Sequence, residues 1–216
     1  QTIVKICGMT DAASIQTAID HKVDYLGFVF YEKSPRNLTP KQATKLTKNI
    51  PSHINKVAVI VNETNQFIEY IQKDFDYLQL HGDEDLKRVK ELKKKYNKKI
   101  IKAIKVTDES SAKIFKEFED EVDMFLFDSP AMEKSAKFDW KILKNLKITK
   151  PYLVAGSINI NNVDEVLKYK PYGIDISGGV EKSRGIKSNK KIIEFLDKVK
   201  AWLGYKRENP SSISTI

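Results

Sequence analysis

Apolar residues along the chain gather into eight short runs: TIVKIC, YLGFVF, KVAVIV, YLQLH, IIKAI, MFLFD, PYLVA and GIDIS. Between them, apolar positions return every three or four residues, the spacing of a helix with one buried face. Strand-like runs alternating with helical segments are the pattern of parallel βα units, because parallel strands need a long crossover between them. Eight such units predict a closed (β/α)8 TIM barrel, an α/β fold. Alternation alone also admits an open doubly wound sheet. No composition break marks a second domain, which favours one barrel domain over residues 1–203 followed by a polar C-terminal tail at 204–216. At 216 residues the chain is shorter than the roughly 250 residues usual for the fold, which implies short loops and an abbreviated helix.

Helix starts are predicted at Thr10, Thr39-Pro40, Asp108 and Asn161, from capping residue types ahead of helical runs. The segment Phe138 to Leu146 carries the weakest helical pattern, and the last helix is expected from Lys187 to Leu203. The tail, GYKRENPSSISTI, is polar and holds a proline, which predicts a loose end.

Side chains alternate across a strand, so Ile3, Lys5 and Cys7 share one face, as do Gln79 with His81, Leu126 with Asp128, and Asp175 with Ser177. An ammonium inside a barrel needs a partner. Strands one and eight become neighbours on closure, so Lys5 and Asp175 are expected within salt-bridge range.

Charge changes this picture little. The formal net charge is +9, but only four of the 38 basic residues are arginine. Arginine dominates bidentate phosphate and base-edge recognition, so nucleic acid is not the expected partner. Lysines in stretches such as DLKRVKELKKKYNKK read as solvated helix faces. Cys7 is the single cysteine and forms no internal disulfide, which suits a reducing, cytoplasmic setting. No run approaches the roughly 18 apolar residues of a membrane span.

Barrel active sites lie where strands end. Cys7, His81 and Asp128 end strands one, four and six. Cys7 reads either as a packed small hydrophobe or as a general base or nucleophile. None of His21, His53 and His81 sits in a cysteine-protease context. Asp128 reads as an acid–base group favoured in its protonated form by an apolar setting, or as a helix cap or lysine partner. The turns carrying Gly156 and Ser157, and Gly178 and Gly179, follow the last two strands, where backbone N–H groups of such barrels bind phosphate. Arg36, in a proline-bounded loop after strand two, suits a carboxylate. No metal-ligand constellation and no nucleotide-binding glycine loop is recognisable, so the site is expected to work without metal or cofactor.

The stretches KICGMTDA, LGFVFYEKSPRNLTP, LQLHGDE, FDSP, FDW, VAGSININNV and GIDISGGVEKSRGIKS resemble, in order, those of the phosphoribosylanthranilate isomerase family of tryptophan biosynthesis. The resemblance implies an aldose–ketose isomerase: an Amadori rearrangement of N-(5-phosphoribosyl)anthranilate to 1-(2-carboxyphenylamino)-1-deoxyribulose 5-phosphate. It implies Asp128 as general acid, Cys7 as general base, Arg36 on the anthranilate carboxylate and the turns at Gly156 and Gly178 on the phosphate. His81 and Asp175 complete the expected substrate-binding set, in a monomer or homodimer. The chain departs from the family in reading Ala155-Gly156-Ser157 for AGG, Ser177-Gly178-Gly179 for SSG, and, in the loop after Asp128, MEKSAKFDW in place of the usual glycine-rich approach to FDW. The alternatives are another phosphosugar isomerase and a non-catalytic basic barrel that binds polyanions.

Overall fold

The eight apolar runs become eight parallel strands that close on themselves: β1 (Ile3–Ile6), β2 (Tyr25–Phe30), β3 (Asn55–Ile60), β4 (Tyr77–Leu80), β5 (Lys99–Lys105), β6 (Met124–Asp128), β7 (Tyr152–Val154) and β8 (Gly173–Ile176). The computed structural model describes residues 2–130 and 137–210. Closure is made by β8 against β1, with Ile3 opposite Gly173 and Lys5 opposite Asp175. The helices are α1 (Ala12–Asp20), α2 (Pro40–Thr47), α3 (Asn65–Ile71), α4 (Leu86–Tyr96), α5 (Glu109–Ala112), α6 (Ile142–Asn145), α7 (Val163–Leu167) and α8 (Asn189–Glu208).

The short chain is accommodated on one side of the ring. Helices α5 and α6 have four residues each and α7 five, so the weak segment after Phe138 contributes a single turn. Such helices are too short to hold by propensity and depend on packing against the sheet.

Two capping expectations need correction. At α1 the cap is Asp11, not Thr10, because the Asp11 carboxylate reaches the backbone N–H of Ser14 at 2.7 Å. At α7 the cap position falls on Asn162 and not Asn161, and its side chain makes no cap bond. It turns instead to the backbone of Ser157 and Asn159. Thr39 with Pro40, and Asp108, cap α2 and α5 as expected. Helix α8 begins at Asn189 and runs on to Glu208, so residues 204–208, expected in the loose tail, are helical. Lys206 and Arg207 lie in its last turn, where positive charge suits the exposed carbonyls. Residues 211–216 of the expected tail lie outside those described. A small antiparallel hairpin, β9 (Glu181–Ser183) with β10 (Ile186–Lys187), precedes α8 and was not foreseen.

Apolar side chains form two bodies of core. One, including Ile6, Leu26, Phe125 and Phe127, lies between sheet and helices; the other fills the barrel with Tyr25, Tyr77, Ile101, Met124, Leu126 and Leu153. At the N-terminal end of the barrel the Tyr25 and Tyr77 rings pack 5.4 Å apart with their hydroxyls 3.3 Å apart. The floor beneath the mouth is therefore solid.

Candidate active site

Strand alternation delivers the expected side chains to one place. Lys5 is fully buried inside the barrel, and its ammonium donates to Asp175 Oδ1 at 2.7 Å, as closure of β8 on β1 requires. The Cys7 thiol lies close enough to favour the same ammonium. Burial alone depresses the Lys5 ammonium, but Asp175 and Cys7 more than offset it and hold the group protonated.

Cys7 follows β1, buried at the mouth, with its backbone N–H on Ile176 of β8 at 2.9 Å. Burial pushes its thiol above the ordinary value, and Lys5 opposes that shift without reversing it. The Lys5 ammonium favours the thiolate, but burial is the larger effect. The room Cys7 occupies is provided by Gly27 of β2, where a Cβ would stand 2.7 Å from Sγ and 3.2 Å from Lys5 Nζ.

Asp128 ends β6, three strands from β1 around the closed ring by way of β7 and β8, and it is also buried. His81 Nε2 lies 3.3 Å from Asp128 Oδ2, while His81 Nδ1 lies 3.1 Å from the Gln79 amide nitrogen. In the tautomer where the Gln79 amide donates to Nδ1, Nε2 carries the hydrogen and faces Asp128. Sequence reasoning put Gln79 and His81 on one face without foreseeing that one orients the other.

The two glycine turns lie against each other. A Cβ on Gly179 would fall 2.3 Å from the Ile158 carbonyl, so the turn after β8 abuts the turn after β7. Gly156, at φ 89°, presses on β6, where a Cβ would stand 2.9 Å from Asp128 Oδ1 and 2.4 Å from Ser129 Oγ. Ser157 is also left-handed, at φ 55°, a region that disfavours side chains. Its carbonyl accepts from the Asn162 side-chain amide at 2.7 Å, which holds the turn without a second glycine.

Arg36 reaches the same mouth from the loop after β2. Its stem crosses Gly8, whose φ is 78° and where a Cβ would lie 2.3 Å from Arg36 Cδ. Its guanidinium is bidentate on Glu181, Nε to Oε2 at 2.8 Å and Nη2 to Oε1 at 2.6 Å. Neither Glu181 nor Lys187, which shares that carboxylate at 2.8 Å, was singled out from the sequence. The signal was a lone acid within the lysine- and arginine-rich EKSRGIK. Although burial works against ionisation, hydrogen bonds from Arg36 and Lys187 bring the Glu181 carboxyl down to about 2.

Most of MEKSAKFDW lies outside the described residues. Among the described residues, no group of three or more His, Cys, Asp and Glu is arranged to hold a metal ion, and no helix is long and apolar enough to cross a membrane. A surface groove of about 900 Å³ between α2 and α3 includes Lys41, Lys45, Lys48 and Tyr70; none of the mouth residues lines it.

The family model described as N-(5'-phosphoribosyl)anthranilate (PRA) isomerase matches residues 4–198. The N-(5'-phosphoribosyl)anthranilate isomerase of Petrotoga mobilis is 37% identical over 206 residues, covering 91% of this chain and 96% of the relative. That of Paracoccus denitrificans is 34% identical over 208 residues, covering 92% and 97%. The solved phosphoribosyl anthranilate isomerase of Thermotoga maritima has a TM-score of 0.84 at 28% identity and covers 93% of this chain and all of its own. A phosphoribosyl anthranilate isomerase in complex with reduced 1-(o-carboxyphenylamino)-1-deoxyribulose 5-phosphate has a TM-score of 0.81 at 28% identity, with the same coverage. A match over nearly the whole barrel, by sequence and by shape, means that this chain belongs to the N-(5'-phosphoribosyl)anthranilate isomerase family.

Proposed function

We propose that this chain isomerises N-(5-phosphoribosyl)anthranilate to 1-(2-carboxyphenylamino)-1-deoxyribulose 5-phosphate. Asp128 donates its proton to the furanose ring oxygen, the bond from that oxygen to C1' breaks, and the nitrogen lone pair forms a protonated Schiff base. Cys7, ionised against the cost of burial with the Lys5 ammonium favouring its thiolate, then takes the proton from C2', and the released pair makes an enolamine while neutralising the nitrogen. The Cys7 thiol then gives its proton to C1' and the Asp128 carboxylate takes up the hydroxyl proton at C2', which yields the ketone and restores both groups. Atoms balance without an external oxidant or reductant, since C1' is reduced as C2' is oxidised.

The observation that carries this reading is the placement of one thiol and one carboxyl, both buried, at the mouth of a barrel whose family match spans residues 4–198. His81 beside Asp128 and Asp175 beside Lys5 suit substrate hydroxyls as well as the catalytic pair. The turns at Gly156–Ser157 and Gly178–Gly179 suit the phosphate, and Arg36 suits the aromatic carboxylate. All of these residues come from one chain, consistent with a monomer or a homodimer working in the cytosol.

The test follows loss of anthranilate-type fluorescence on mixing with freshly generated phosphoribosylanthranilate. Wild-type protein is expected to turn over, and Cys7→Ala and Asp128→Ala each to fall by about 10²- to 10⁴-fold or more with unchanged circular dichroism. Well-folded wild-type protein without turnover would defeat the assignment.

A further inference from the structure

Arg36, assigned above to a carboxylate of the substrate, is already held by a carboxylate of the protein. Glu181 accepts four hydrogen bonds: Arg36 Nε and Lys187 Nζ on Oε2, both at 2.8 Å, and Arg36 Nη2 at 2.6 Å and the Gly185 N–H at 3.1 Å on Oε1. Those are all the lone-pair sites a carboxylate offers. Lys187 is saturated as well, since its other hydrogens go to the Ser177 carbonyl at 3.1 Å and hydroxyl at 3.3 Å. Both side chains are essentially buried, at 3% and 0% exposure, whereas Arg36 keeps 20%.

Arg36 is not saturated. A guanidinium has five N–H donors, two point at Glu181, and among the described residues no acceptor meets Nη1. With its stem over Gly8 and Nη2 3.8 Å from where Gly178 would carry a Cβ, the group spans the ends of β1 and β8. An isolated arginine–glutamate pair is neutral and attracts an anion weakly. Here Lys187 shares the same carboxylate, so the three residues retain one positive charge, and the exposed member of the cluster is Arg36.

We propose that Glu181 is a positioning residue that clamps one edge of the Arg36 guanidinium, so that the opposite edge meets the substrate's aromatic carboxylate in a fixed orientation. Through Lys187 and Ser177 the same clamp ties that orientation to the turn expected at the phosphate. This rests on the assignment of Arg36 above and adds the group that aims it.

The experiment compares two ligands: reduced 1-(2-carboxyphenylamino)-1-deoxyribulose 5-phosphate and its counterpart built on aniline, which lacks the carboxylate. Dissociation constants are measured for wild type, Glu181→Gln and Glu181→Asp, with melting temperatures alongside. Wild type is expected to favour the carboxylate ligand by about tenfold or more. Glu181→Gln should bring that ratio close to one while changing affinity for the aniline ligand by less than about threefold, and Glu181→Asp should fall between. A merely structural role would weaken both ligands alike and leave the ratio intact. If Glu181 only neutralised Arg36, the glutamine variant would gain positive charge and the ratio would rise.

An unchanged or raised ratio overturns the clamp, as does a wild type indifferent to the carboxylate. Should the glutamine variant fail to fold, an unchanged ratio in Glu181→Asp overturns it equally. Wild-type turnover is scored separately, so an active enzyme with an unaffected ratio removes the clamp and leaves the isomerase reading standing.

Discussion

Gly27 lies against the thiol proposed as the general base, and Cys7 and Lys5 take the space its missing side chain leaves. A methyl there would meet Cys7 Sγ at 2.7 Å and the Cys7 Cα at 3.2 Å, so neither the side chain nor the strand can give way cheaply. Gly27→Ala is expected to lower kcat more than about tenfold, by moving the base off its line of attack, and to reduce stability by about 1–3 kcal/mol through overpacking. Steady-state kinetics and urea unfolding on the same preparation check both; a variant with wild-type kcat would remove Gly27 from the account. The facing of Lys5, Cys7 and Asp175 was legible from the sequence because alternation is a strict rule of strands. Gly27 was not, since a glycine in a strand has the same letter whether it makes room or merely weakens the strand. Nor was the bond of Arg36 to Glu181, 145 residues away, because such a meeting depends on how two loops fold over one rim.

At the scale of elements, strands were read better than what joins them. Thr10 and Asp11 are both capping types, and only the reach of the Asp11 carboxylate to Ser14 decides between them. The β9–β10 hairpin, of three and two residues, is too short to show alternation at all. Glu181 begins that hairpin and fastens it to Arg36 and to Ser177 through Lys187, which makes the element sensitive to acid. The Glu181 carboxyl is lowered from 4.5 to about 2 in the folded protein, so its stabilisation is present above 4.5 and is lost as pH falls towards 2. That difference is worth about 3 kcal/mol when fully expressed. In urea unfolding, the advantage of wild type over Glu181→Gln should shrink by about 2 kcal/mol between about pH 6 and about pH 3. An advantage that does not vary with pH would contradict the pairing.

For the whole molecule, closure was legible because eight alternating units without a break leave an open sheet little support, whereas the short length pointed to one abbreviated helix and three are found. Length alone, however, could not say where the helices shorten; that follows from the packing of the β5–β8 side of the ring. The interior beneath the site is occupied by Tyr25, Tyr77, Ile101, Met124, Leu126 and Leu153, so the barrel is no corridor. Among the described residues, a ligand at the proposed pair Cys7 and Asp128 has only the mouth to pass through, and a departing ketose must clear it before the next aminoaldose enters. Inhibition by product should therefore be purely competitive: added 1-(2-carboxyphenylamino)-1-deoxyribulose 5-phosphate should raise KM and leave kcat untouched in initial-rate measurements. A fall in kcat would mean that both molecules can be aboard at once, and that a second way in exists.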